Sequence, residues 1–77
     1  MLDGNAIAGL LEEIFGEEMT AAAATCSGCG RTGPLAETAV YLRAPGVVVR
    51  CRYCDTVLAV VIEGRATYCV DLTGIRL

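Results

Sequence analysis

The sequence predicts a small α+β domain stapled by a metal, with an N-terminal amphipathic helix and an antiparallel sheet of three to four strands. Three observations predict it. Four of the five cysteines form two close pairs, Cys26-Ser27-Gly28-Cys29 and Cys51-Arg52-Tyr53-Cys54. Residues 3–16 place apolar side chains at helical spacing. Most of the remaining chain consists of short segments rich in valine, leucine and isoleucine, broken by glycine and proline.

Each Cys-x-x-Cys puts two sulfurs on one tight turn, and two such turns supply the corners of a tetrahedron. The intervening stretch, Gly30 to Arg50, is 21 residues. That slightly exceeds the usual zinc spacing of roughly 15–20 residues, and it is long enough for a hairpin. The expected metal ligands are therefore Cys26, Cys29, Cys51 and Cys54. An odd cysteine count and close pairing fit a metal better than a disulfide framework or thiol redox chemistry. Asp3, Glu12 and Glu13 stand where a secretory signal would need a basic start and an uninterrupted apolar run. No apolar run approaches the roughly 18 residues of a membrane span. The expectation is a soluble, cytoplasmic protein.

A chain of 77 residues is expected to form a single domain, 1–77. At this length folding buries only about 60–65% of the unfolded surface, so the core alone is marginal. Structural zinc binds finger peptides with about 10–16 kcal/mol. That exceeds the roughly 5–15 kcal/mol net stability of an ordinary domain.

Within the helix, Ile7, Leu10, Leu11, Ile14 and Phe15 form one apolar stripe. Asp3 suits its N-cap and Gly16 its C-terminal stop. The stripe needs cover, from the chain's own sheet or from a partner. Residues 17–25 are expected to be extended on approach to the first cysteine turn. Gly30 suits a positive φ after the first pair, and Asp55 occupies the corresponding place after the second. Gly33-Pro34 reads as a turn, Leu35 to Arg43 as a strand, Ala44-Pro45-Gly46 as a hairpin turn and Val47 to Arg50 as the return strand. Thr56 to Ile62 is apolar at nearly every position, which predicts a central strand buried on both faces. Arg65 to Leu72 is a fourth strand, and Thr73 to Leu77 a tail. One helix covers only one face of such a sheet. With a mean hydropathy of +0.55, this predicts a homodimer or an obligate protein partner on the other.

The order of knuckle, hairpin, knuckle and strands resembles the zinc-ribbon and rubredoxin-like superfamily over about residues 25–62, specifically at Cys26, Cys29, Gly30, Cys51 and Cys54. The extra C-terminal strand takes the expected ribbon to 25–73. The N-terminal helix is a departure, since ribbons do not need one. The opening Asp3-Gly4-Asn5-Ala6-Ile7-Ala8-Gly9-Leu10, with Phe15-Gly16, Met19-Thr20 and the paired cysteines, also resembles a small bacterial family of zinc-ribbon-like proteins of unknown function. That resemblance implies a fold and supplies no activity. Tetrahedral S₄ suits Zn²⁺ or iron. Arg52, Tyr53 and Asp55 stand where rubredoxins carry Pro and Gly, which favours Zn²⁺.

Histidine is absent, which removes the commonest general base and the usual ligand of catalytic zinc. A four-cysteine site also leaves no open coordination position. The expectation is a non-enzymatic protein with a structural four-cysteine zinc site, acting as a protein-interaction or regulatory module. Two alternatives remain open: nucleic-acid binding through Arg31, Arg50, Arg52 and Tyr53, and electron transfer at a rubredoxin-like iron.

Charge bears on that choice. The net charge is -3, and four thiolates with one divalent ion lower it by two more. Residues 1–20 hold five acids and no base, whereas the rest carries six arginines against four acids. The overall balance is not that of a general polyanion binder. The fifth thiol, Cys69, is expected to be a half-buried strand residue. Tyr41, Tyr53 and Tyr68 are expected to pack on the sheet.

Overall fold

In a computed structural model of the chain, residues 2–43, 46–65 and 67–76 are described. The strand β1 (Leu2–Asp3) leads into a 3₁₀ turn at Gly4–Ile7 and the helix α1 (Ala8–Phe15). Five strands follow: β2 (Ala23–Cys26), β3 (Thr32–Pro34), β4 (Ala39–Arg43), β5 (Gly46–Arg50) and β6 (Val57–Glu63). The chain closes with β7 (Tyr68–Asp71) and β8 (Ile75–Arg76). Helix, antiparallel sheets and clustered cysteines make it a small α+β domain.

The strands form two antiparallel sheets, against the single sheet of three to four strands that the sequence predicts. The larger has the order β1-β4-β5-β6-β7 and the smaller β3-β2-β8. Of the extra strands, β1 comes from the expected helix cap, pairing Leu2 with Val40 and Asp3 with Ala39, and β3 and β8 come from segments with the sequence character of a turn and a tail. Gly33-Pro34 lies within β3, paired with Ala24 and Ala23; proline is tolerated there because β3 is an edge strand. The tail pairs Ile75 with Cys26 and Arg76 with Thr25.

The helical segment starts at Asp3, as the sequence suggests. Its carboxylate accepts from the Asn5 amide at 3.0 Å. The first turn is 3₁₀, in keeping with the low helix propensity of Gly4 and Asn5. Gly16 ends α1 at φ 79°, and its amide donates to the Glu12 carbonyl.

The apolar stripe of α1 packs on the chain's own sheet. Cross-strand pairing sets Val40 opposite Val49 and Val49 opposite Ala59. That row, with Val61, forms the inner face on which Ile7 and Leu11 are buried. Val40 is only 1% exposed. The Tyr68 hydroxyl donates to Glu13 at 2.8 Å and so ties the helix to β7.

Four strand expectations need correction. Of the segment approaching the first cysteine turn only Ala23–Cys26 is a strand, the preceding residues 17–22 being irregular, with bends and turns. The fourth strand shortens to Tyr68–Asp71. Leu35 to Glu37 is a 3₁₀ turn, closed when Thr38 donates to the Leu35 carbonyl, so β4 starts only at Ala39. In β6 the run of apolar residues does not mean burial on both faces. A register shift sets Val49 opposite Ala59 but Arg50 opposite Val57, so Leu58 is the extra residue of a bulge. The bulge lets consecutive Leu58 and Ala59 both be buried. The strand is interior to its sheet, yet its outer face is open and Ile62 is 46% exposed. Ala44 and Pro45 of the expected hairpin turn, Ala66 of the expected fourth strand and Leu77 lie outside the described residues.

Leu11 is the buried pivot of the helix. Leu11→Ala is predicted to cost about 2–5 kcal/mol, measured by urea denaturation of the metal-loaded protein. Glu12→Ala, on the exposed side, is predicted to change stability by no more than about 0.5 kcal/mol.

Candidate metal centre

The first cysteine pair sits in the turn between β2 and β3, the second between β5 and β6. The two turns are built alike. The Gly30 amide donates to the Cys26 carbonyl at 2.9 Å, and the Asp55 amide to the Cys51 carbonyl at 2.9 Å. Each turn is completed by a left-handed residue, Gly30 at φ 76° and Asp55 at φ 63°. An aspartate at the second position is held by Arg50, whose guanidinium donates to the Asp55 carbonyl at 3.0 Å and to its carboxylate at 3.3 Å.

All four expected sulfurs come together. Those of Cys26, Cys29, Cys51 and Cys54 lie within 4.8 Å of one another. The Sγ atoms of Cys26 and Cys54 are 3.6 Å apart, and those of Cys29 and Cys51 3.7 Å. A tetrahedral ion with metal–sulfur bonds of about 2.3 Å separates its sulfurs by about 3.8 Å. The donor set and spacing fit one four-thiolate metal ion. Cys26 and Cys51 are buried, while Cys29 and Cys54 lie on the open side.

The surroundings favour thiolates unequally. The Gly28 amide points at Cys26 Sγ from 3.3 Å, and further amides reach the sulfurs of Cys26, Cys29 and Cys54. The Thr56 hydroxyl lies 3.0 Å from Cys54 Sγ. That hydroxyl and the Thr56 amide hold Cys54 down at about 6. Cys26 is lowered from its ordinary value, chiefly by the Cys29 amide. Cys29 moves the other way, to about 11: the Arg31 amide pulls it down, but desolvation and the sulfurs of Cys51, Cys54 and Cys26 outweigh that pull. Four sulfurs this close cannot all ionise unaided, because like charges a few ångströms apart disfavour one another. A divalent cation removes the conflict.

Two supports lie outside the reach of the sequence reading. Thr56 faces the first turn so closely that a Cβ on Gly28 would sit 2.2 Å from its hydroxyl. The backbone amide and the hydroxyl of Ser27 both donate to the Gly74 carbonyl at 3.0 Å, which ties the first turn to the C-terminal strand. A threonine two places after a ligand cysteine is a faint signal. The Ser27–Gly74 contact spans 47 positions and leaves none.

The arginine–tyrosine set expected to read nucleic acid divides in two. Arg31 lies over the Tyr53 ring at 4.2 Å, and both line one groove with Arg52. Arg50 is engaged by Asp55 and borders a separate hollow with Tyr41 and Val48. Cys69 lies outside the sulfur cluster and is exposed rather than half-buried. No helix among the described residues is long and apolar enough to cross a membrane.

Fold and site together define a small α+β domain whose four clustered cysteines can hold a metal ion. Over residues 1–77 the chain matches DUF6510, a family of unknown function, and it belongs to that family. No curated protein and no solved structure matches it.

The Cys54 thiolate is depressed below its ordinary value, so its contribution is present above that value and fades as pH falls through about 6. Thr56→Val removes the hydroxyl donor. It is predicted to move the pH midpoint of metal release upward, read with a chromogenic chelator, while Thr73→Val leaves it in place.

Proposed function

We propose that this chain is a non-enzymatic structural-zinc protein whose metal centre holds a rigid frame for protein interaction. The observation that carries the reading is the closure of the site: four sulfurs at tetrahedral spacing fill every position of a zinc ion. Support comes from the chemistry of the chain, which has no histidine to serve as base or as catalytic-zinc ligand. The ribbon-like pair of knuckles would supply rigidity, and the surface around them recognition. Zn²⁺ is favoured over iron because Arg52 and Tyr53 occupy the second knuckle where rubredoxins carry Pro and Gly.

Nucleic-acid binding is the second reading, favoured by one contact. Arg31 over Tyr53 makes a cation–aromatic platform of the kind on which bases stack. Against it stand the negative net charge and the engagement of Arg50 by Asp55.

Elemental analysis of untagged protein, paired with its visible spectrum, tests the metal. One zinc per chain and no colour is expected. Iron with visible absorption would replace this reading with electron transfer. Chelation should then unfold the protein or leave it molten, seen as loss of amide dispersion in NMR, because metal binding and folding are one equilibrium in so small a domain. A chelated chain that still melts cooperatively would show that the metal is dispensable to the fold.

A further inference from the structure

The groove beside the knuckles has a chemistry of its own. It encloses about 170 Å³ and runs between β3 and the second knuckle. Its floor is apolar, with Leu58 buried and Ile75 half-buried. Two arginines, Arg31 and Arg52, and one acid, Glu37, stand in its lining, and all three are exposed. Neither arginine makes an ion pair among the described residues, where Arg50–Asp55 is the one salt bridge. Tyr53, 59% exposed, also lines it, with Arg31 over its ring.

The wall formed by β3 also has free backbone. The Cys26 amide bonds to the Arg31 carbonyl and the Leu35 amide to the Ala22 carbonyl, so Arg31, Gly33 and Leu35 are the residues whose peptide groups face β2. Alternation along the strand turns the amide and carbonyl of Thr32 outward. Pro34 has no amide to offer, which limits strand addition on this edge to a short stretch.

We infer that this groove binds an extended acidic peptide segment of a partner protein, pairing one of its residues with Thr32 and seating its carboxylates on Arg31 and Arg52. The inference rests on the proposed interaction role and names the partner's chemistry. Charge complementarity chooses the occupant: the two guanidinium groups outnumber the one carboxylate of the lining and take carboxylates in bidentate fashion, and an edge strand takes extended backbone. The apolar floor accepts the side chain that alternates with the acid. A nucleic acid fits less well, because two arginines beside one glutamate give few phosphate contacts.

The test titrates zinc-loaded, ¹⁵N-labelled full chain with three capped probes, followed by NMR. They are a hexapeptide alternating aspartate and valine, its lysine–valine counterpart, and hexathymidylate. The aspartate peptide should shift the Thr32 and Gly33 amides and the Nε–H signals of Arg31 and Arg52, and the lysine peptide should not. Arg52→Gln should weaken the aspartate peptide about tenfold, within the range of a lost charge-assisted hydrogen bond, while Arg76→Gln leaves it unchanged. Zinc content is measured for each variant, so a failed metal reading is distinguishable from a failed groove. Equal response to the lysine peptide, stronger response to hexathymidylate, shifts centred on Val48 and Ile62, or no shift at millimolar peptide would overturn the inference. So would an Arg52→Gln protein that loses zinc while its peptide response stays intact, since the arginine would then serve to balance the thiolates.

Discussion

The rest of the structure depends on holding four cysteine sulfurs at mutual distances that are unfavourable without a cation. The first pair belongs to the small sheet, at the end of β2, and the second to the large sheet, after β5. A metal at the cluster is therefore a cross-link between two sheets. The small sheet has strands of four, three and two residues. So short an assembly has no stability of its own. It persists through the core it shares with the large sheet, where Leu58, Ala24 and Cys26 are buried in one cluster, and a bound ion would add the cross-link. The bulge that turns Leu58 toward the small sheet serves the same union.

The helix solves a separate problem. It covers the inner face of the large sheet. The two devices meet through Leu35, buried against Ile7 and Leu11 on one side and carried by the turn that follows β3 on the other. The C-terminal strand adds a third tie, since Gly74 accepts both donors of Ser27. A chain too short to bury a large core thus spreads its stability over two cysteine knuckles, one helix and one strand clasp.

What is legible in the sequence follows from the range of the interactions. The cysteine pairs, Gly30, Asp55, the Asp3 cap and the Gly16 stop each encode local geometry, and each is visible within a few residues. The helical stripe is periodic and equally plain. β3 and β8 are not legible, because a strand of two or three residues has no period to read. Gly33-Pro34 carries a strong turn signature that tertiary pairing overrides. The alternation rule also misleads at β6: continuous apolar residues suggest burial on both faces, whereas the bulge buries two neighbours and leaves Ile62 open. Bulges are set by the register of two strands, which one strand's residues do not declare.

The arginines show how placement sorts residues of one type. Arg50 and Arg52 flank the same ligand cysteine, one residue to either side. Arg50 ends β5 and reaches the carbonyl and carboxylate of Asp55, so it stabilises a left-handed residue that the knuckle requires. Arg52 lies inside the turn and lines the groove, with no ion pair among the described residues. Replacing Arg50 would strain the metal loop, while replacing Arg52 would leave the loop's hydrogen bonds in place. A closed four-thiolate centre gives its ion no contact with substrate. If such a frame serves protein interaction, as proposed, recognition falls to side chains that the knuckles orient but do not engage. By that criterion Arg52, Tyr53 and Arg31 are the residues on which a partner would act.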